Sequence, residues 1–399
     1  MAFLFTVSFM SGTAIAAADL SDAEQLIEDD WMDDAETLLN ELSKAHPNDP
    51  EIYYQLARVY LIRDDAQSRN GGAPWKNLDR IEDYAQKAIE LNPREAKYYV
   101  IRGHGVGLKA LRGGTVKKFS RAKSAKKAYE TAVELDPNNI EARTSLIEYL
   151  MQAPGIVGGD KDEARRQAIA VARIDSAEGF LAQKTVYLYE KDYDSLEAEI
   201  QKVLDARPSD KVGYVEYAWL CYYRNDYDCV VKYIDEIVII DPEDVDVYWQ
   251  LHRVYIKQEK YGEAEAALKK AIETKPEETY LYRWLGDFYQ TRKRWDAAIA
   301  LYQQSLEVDP TNARALYKLG ETYVLSEQNL DAAEDCFDRY LTSRLKCWWP
   351  ERALAHCELA KIYSLQGDKK AAVAQIKKAK KLNPNNDEIR KMAKKLRVR

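Results

Sequence analysis

Large and small apolar residues return along this chain at i, i+3 or i+4, and i+7, with charged residues between them. In VDVYWQLHRVYIKQEKYGEAEAALKKAIETKP, residues 245–276, they fall at Tyr248, Leu251 and Tyr255, then at Ala264, Leu268 and Ala271. Each set lies on one face of a helix, so the stretch predicts two antiparallel amphipathic helices, with Gly262 in the intervening turn. The pattern has a period. Pro208, Pro242, Pro276 and Pro310 are 34 residues apart, each just after a helical stretch, and similar endings stand at Pro47, Pro93, Pro137 and Pro384. A fixed period of this length marks a chain of stacked supersecondary units.

Within the unit at 279–312, Tyr282, Leu285, Gly286, Tyr289, Ala298 and Tyr302 hold fixed places, with Ser305 departing from the usual Ala; in the last unit the pattern is met by Leu359, Ala360, Tyr363, Ala372, Ile376 and Ala379, with His356 at the aromatic position. This pattern resembles the consensus of the tetratricopeptide repeat family. The resemblance implies an all-α fold, an α-solenoid of about ten stacked helix-turn-helix repeats over 19–386, with a basic capping helix over 387–399. In register, the repeats start near residues 16, 50, 96, 140, 177, 211, 245, 279, 313 and 353. The unit at 177–210 matches least, since Lys184 stands where Gly or Ala is expected.

Repeats two, three and four carry extra residues between their helices A and B: DDAQSRNGGAPWKNLDR, LRGGTVKKFSRAKS and APGIVGGD. Successive enlarged loops of a solenoid emerge on one edge, and such insertions often form a binding face. That edge would present Trp75, Lys117, Lys118, Arg121, Ile156 and Val157, either to an anionic partner or as loops packed on one another with solvated lysines. The ninth repeat ends in SRLKCWWPERA, where Trp348 and Trp349 either cover a gap between helices or contact a partner.

The net charge of -7 is too mild to suggest nucleic acid, but its distribution is uneven. Residues 19–51 hold twelve Asp and Glu against Lys44, while 361–399 hold thirteen Lys and Arg against three acids. These ends read either as solvated outer faces or as surfaces for head-to-tail self-association. Residues 1–18, MAFLFTVSFMSGTAIAAA, carry no charged side chain and end in small residues of the A-x-A type, the pattern of a signal peptide. No later apolar run reaches the ~20 residues of a membrane span. A periplasmic or secreted protein is therefore expected. Cys221 and Cys229, eight residues apart, suit either a disulfide or buried thiols.

Catalytic chemistry finds no set of residues. His46, His104, His252 and His356 fall in four different repeats, and none has a zinc-ligand companion at the required spacing. Gly103, Gly105 and Gly107 lie inside a helix A with no strand before them. APGIVGGD lacks the Lys-Ser/Thr of a phosphate loop, and its acids repel phosphate; it reads as a stretched turn in which Asp160 and Glu163 form a capping box for helix B. No catalytic residue, metal or cofactor is expected.

The family resemblance places ligand on the concave wall formed by helices A. Its positions here are Tyr54, Arg58, Trp219, Tyr222 and Tyr223 in the earlier repeats, and Trp249, Arg253, Tyr280, Arg283 and Tyr317 in the later ones. Aromatic residues with Arg are the composition of interface hot spots. None of the groove positions is Asn, so the carboxylate clamp that grips chaperone tails has no counterpart. The expected function is a non-catalytic scaffold for a peptide or protein partner. The alternative is a structural component of an envelope assembly, as in polysaccharide export or outer-membrane biogenesis.

Overall fold

The computed structural model of the chain describes residues 19–69, 76–111, 115–344 and 352–398. The expectations for residues 1–18, Trp75, Trp348 and Trp349 lie outside these. The described residues form twenty-one α-helices and no strand. They fall into helix pairs: α1 (Leu20–Glu28) with α2 (Met32–Ala45), α3 (Pro50–Arg69) with α4 (Leu78–Leu91), α5 (Ala96–Ala110) with α6 (Thr115–Leu135), and α7 (Ile140–Gln152) with α8 (Lys161–Ile174). Next come α9 (Ser176–Glu190) and α10 (Tyr193–Ala206), α11 (Lys211–Arg224) with α12 (Tyr227–Ile240), and α13 (Asp246–Lys257) with α14 (Tyr261–Thr274). The series ends with α15 (Thr279–Thr291) and α16 (Trp295–Val308), α17 (Ala313–Ser326) and α18 (Leu330–Thr342), α19 (Arg352–Leu365) and α20 (Lys369–Leu382), and α21 (Asp387–Lys395).

The described chain forms two compact units, 19–190 and 191–398. The fifth repeat is divided between them: α9 belongs to the first and α10 to the second. This is the repeat in which Lys184 replaces the small residue that lets helices A and B approach closely.

The proline-containing endings both stop one helix and start the next. In DPNN the Asp136 carboxylate accepts from the Asn138 amide at 3.0 Å, and the Asn139 side chain caps α7 by accepting from the Ala142 amide at 2.8 Å. DPTN repeats the device: Asp309 accepts from Thr311 N at 2.9 Å and Asn312 caps α17 through Ala315 N at 3.0 Å. Such caps satisfy amides that have no partner inside the helix.

The excess of tyrosine over phenylalanine has a structural use at the same junctions. Six residues after the proline, the hydroxyls of Tyr53, Tyr99, Tyr214 and Tyr282 donate to the carbonyls of Pro47, Pro93, Pro208 and Pro276, at 2.8–3.1 Å. A second set joins helix A of one repeat to helix B of the one before. Tyr60 donates to Glu36, Tyr289 to Glu265 at 2.7 Å, and Tyr363 to Glu334. Phenylalanine fills the same volume without these bonds.

In the core, a small residue on helix A faces a large ring on helix B. A Cβ on Gly286 would lie 2.6 Å from Tyr302, which is fully buried and donates to the Asp287 carboxylate at 2.8 Å. Gly103 stands in the same relation to Tyr129. Around these contacts, Leu285, Tyr289, Leu316 and Phe337 form the main cluster of the second unit, and Val100, Leu146, Ile147 and Leu150 that of the first.

Compact repeats reverse from A to B through one left-handed residue, Asp30, Lys191, Asn225, Glu259, Lys293 or Gly367, or through two, Glu327 and Asn329. Gly262 was expected in the turn, but it is the second residue of α14, and Glu259 at φ 58° makes the reversal. The fourth repeat turns differently. Gly155–Val157 forms one 3-10 turn, Gly158 follows at φ 95°, and the Asp160 carboxylate caps α8 by accepting from Glu163 N at 3.0 Å. The expected capping box closes on one side only, because the Glu163 carboxylate is engaged by Gln167 and Arg166.

At the C-terminal end, α21 buries Ile389, Met392, Ala393 and Leu396 with residues of α19 and α20, while Lys391, Lys394 and Lys395 stay exposed. Cys221 and Cys229 are joined as a disulfide across α11 and α12, with Cα atoms 5.7 Å apart, inside the range a bridge spans. Cys336 and Cys357 are buried free thiols, and burial pushes each up to about 12.

Candidate partner-binding face

Of the groove residues expected from sequence, six meet on helices A of the second unit. Trp219, Tyr222 and Tyr223 stand on α11, Trp249 and Arg253 on α13, and Tyr280 on α15. The spacing of three to four residues within each helix turns them to one face. The Arg253 guanidinium lies 4.6 Å from the Trp249 ring centroid and 5.2 Å from that of Tyr222, and donates to the Tyr222 hydroxyl at 3.2 Å. Trp219 meets Tyr222 edge-on at 5.8 Å and Tyr223 at 6.3 Å. All six are partly exposed, and Tyr223 is open to solvent.

Trp284 on α15 was missed in the sequence and sits between Trp249 and Tyr280. Its ring centroid is 5.7 Å from Trp249 and 4.8 Å from Tyr280. It lies outside the consensus positions assigned to ligand; its only signal was a tryptophan on helix A in register with Trp249, one repeat and one residue further on.

Two expected groove residues lead elsewhere. Tyr317 is 4 % exposed, packed edge-on against Phe337 at 5.5 Å and Tyr340 at 5.2 Å, so it belongs to the core and not to the binding face. Arg283 pairs with Asp287 at 3.2 Å, one residue of a polar network in which Lys318 reaches Asp287 at 3.6 Å and Glu321 at 2.9 Å. Burial disfavours the Lys318 charge, but Glu321 and Asp287 outweigh it and raise its pKa. Further along, Glu358 on α19 is 3 % exposed; burial pushes its carboxyl up, and Lys361, bonded at 2.6 Å, opposes the shift. Arg253 differs from these: among the described residues no carboxylate pairs with it.

In the first unit, Tyr54 and Arg58 form a smaller group. Arg58 lies 5.8 Å and Lys97 4.8 Å from the Tyr54 ring, and the Tyr98 ring meets it at a tilt, 5.5 Å between centroids. The loop-edge residues divide. Lys117 and Lys118 are exposed, Arg121 is half-buried and donates to the Lys109 carbonyl at 3.4 Å, and Ile156 is 71 % exposed. Val157, expected at the surface, is buried with its carbonyl accepting from the Tyr149 hydroxyl at 2.8 Å, so the fourth turn is anchored to α7.

The first unit also holds a cavity of about 840 Å³. Its walls come from the ends of α3, α5 and α7, the first turns of α6 and the fourth turn. His104 borders it, hydrogen-bonded to the Tyr129 hydroxyl at 3.1 Å, and burial pulls its pKa down to about 4.

No group of three or more His, Cys, Asp or Glu among the described residues is arranged to hold a metal, and no described helix is long and apolar enough to cross a membrane. His252 bonds to the Ala264 carbonyl and His356 to Gln375, each inside its own repeat.

A family model described as TPR repeat matches residues 289–326, and one described as Tetratricopeptide repeat matches 117–139, 245–278 and 353–386. The chain belongs to the tetratricopeptide repeat family. No curated protein matches this tetratricopeptide repeat chain. Among solved structures it is similar to yeast Tom70, with 14% identity and a TM-score of 0.44, over 95% of this chain and 94% of that one. It is similar to YrrB, described as a TPR protein with an unusual peptide-binding site, with 20% identity and a TM-score of 0.39, over 49% of this chain and 97% of that one. The Cut9-Hcn1 assembly of the APC/C gives 12% identity and a TM-score of 0.39, over 94% and 95% of the two chains.

Proposed function

We propose that this tetratricopeptide repeat chain is a non-catalytic interaction scaffold that grips an extended peptide or protein segment on the helix-A face of repeats six to eight. The observation that carries the reading is Arg253, held against Trp249 and Tyr222 without a carboxylate partner. A planar cation fixed between rings loses little entropy on binding and offers its remaining donors to a backbone carbonyl or carboxylate. Trp219, Tyr280 and Trp284 flank it with large rigid surfaces, the residue types that dominate interface energetics.

Changing Trp219, Trp249 and Arg253 together to Ala is expected to reduce partner recovery in pull-downs at least ~30-fold, the effect of losing about 2 kcal/mol or more. Undiminished recovery, with the helical circular dichroism signal intact, sinks the assignment.

The compartment proposed for this scaffold is periplasmic or extracellular. The leader-like residues 1–18 and the Cys221–Cys229 bridge support it, since disulfides persist in oxidising surroundings. N-terminal sequencing of the mature protein tests it; an intact Met1 in an envelope fraction counts against it.

A second reading, assembly through oppositely charged ends, is favoured by the outward lysines of α21 and the exposed acids Asp33 and Asp34 of α2. Sedimentation velocity should then show salt-sensitive self-association that disappears when Lys391, Lys394 and Lys395 become Gln. A monomer at all salt concentrations rejects it.

A further inference from the structure

We propose that the first unit carries a second binding slot, for a peptide segment that presents bulky apolar side chains beside one lysine or arginine. The slot is the cavity of about 840 Å³, within the ~300–1,000 Å³ range of small-ligand sites. Its origin is the insertion in the third repeat. That insertion lengthens α6 to 21 residues, where other B helices of the chain have 13 or 14, and the added first turns bring Phe119 and Ala122 in as a wall facing α3, α5 and α7. Leu61 and Leu108 line the opposite side. Phe119 is 37 % exposed, so apolar surface faces the opening. One wall of the slot is thus built by residues outside the 34-residue pattern.

The charge inside it selects the occupant. Glu148 projects from α7 into the cavity, and among the described residues no cation pairs with it. The surrounding protein raises its pKa by desolvation alone, with no compensating charge. Lys118, also in the lining, is exposed on α6 and makes no ion pair with it. A solvent-exposed carboxylate beside apolar walls, with Asp65 as a second acid in the lining, attracts an ammonium or guanidinium and repels the head group of a fatty acid. The complementary ligand is therefore a cationic apolar peptide and not an acidic lipid.

The test uses the full chain and two fluorescein-labelled, end-capped heptapeptide pools. Leucine, phenylalanine and alanine fill the outer positions; the central residue is lysine in one pool and glutamate in the other. Fluorescence anisotropy should show saturable binding of the lysine pool, with the glutamate pool weaker by at least about tenfold. Glu148→Gln should cost the lysine pool a similar factor, and Phe119→Glu should abolish binding; both side chains reach solvent, so circular dichroism should stay unchanged. Trp249→Ala should leave this binding intact, which separates the slot from the aromatic face. Equal binding of both pools, indifference to Glu148→Gln, displacement by palmitate that does not depend on Glu148, or no saturation below about 1 mM would each overturn the proposal.

Discussion

The two units use one repeat and expose different chemistry. From α11 onward the repeats reverse through short turns with one or two left-handed residues, and what they present is the face of their A helices, with Arg253 set among aromatic rings. In the first unit the third and fourth repeats take longer routes, and their added residues turn part of the A-helix surface into a walled cavity. Short turns leave an open face, whereas insertions enclose one. The difference teaches that turn length, more than core sequence, decides what kind of surface a repeat offers.

The core beneath both surfaces should be the most sensitive part. Tyr302→Ala removes a fully buried ring and its bond to Asp287, and should destabilise the second unit by about 3–5 kcal/mol in urea unfolding followed by circular dichroism. A loss below about 1 kcal/mol would mean that the small-residue-against-ring contact does not hold the repeat together.

The first unit should respond to pH through His104. His104 has a folded pKa of about 4 against an ordinary 6.5, so its neutral form stabilises the fold at neutral pH. As pH falls from 6.5 toward 4 the unfolded chain binds the proton and the folded chain does not, so stability is lost across that window. The loss should be roughly 2–3 kcal/mol, and absent in His104→Asn. Equal pH slopes for the two proteins would remove His104 from the account of this unit.

Two smaller effects probe the junctions. Tyr282→Phe deletes the 2.8 Å bond to the Pro276 carbonyl and should cost about 0.5–1.5 kcal/mol, measured by the shift in urea midpoint. Lys293→Gly relieves a left-handed residue at φ 55° and should stabilise by about 0.5–1 kcal/mol, whereas the same change at Arg294, which has φ −84°, should destabilise.

Much of this was legible in the sequence because the period is carried by residues whose roles are local. Proline, Asn and Asp mark the helix ends, and Gly286 with Tyr302 marks the close approach of two helices. The surfaces were less legible. A fixed list of consensus positions placed Tyr317 at the ligand face, yet the ring turns inward against Phe337 and Tyr340. The same list passed over Trp284, because a residue adjacent to a nominal groove position reaches the cluster when its side chain is large. Val157 looked like a loop-surface residue, but Tyr149 captures its carbonyl and draws it in. The insertions were visible in the sequence but the cavity was not, since it depends on where an insertion lengthens one helix over three others.

The most direct measurement is site-specific photo-crosslinking in native extract. A benzoylphenylalanine is placed at position 249, on the aromatic face, and separately at position 273, an exposed site on α14. Crosslinking to a partner from position 249 and none from position 273 is the expected result. Equal crosslinking from both positions, or crosslinking from position 273 alone, contradicts the assignment of the helix-A face as the binding surface.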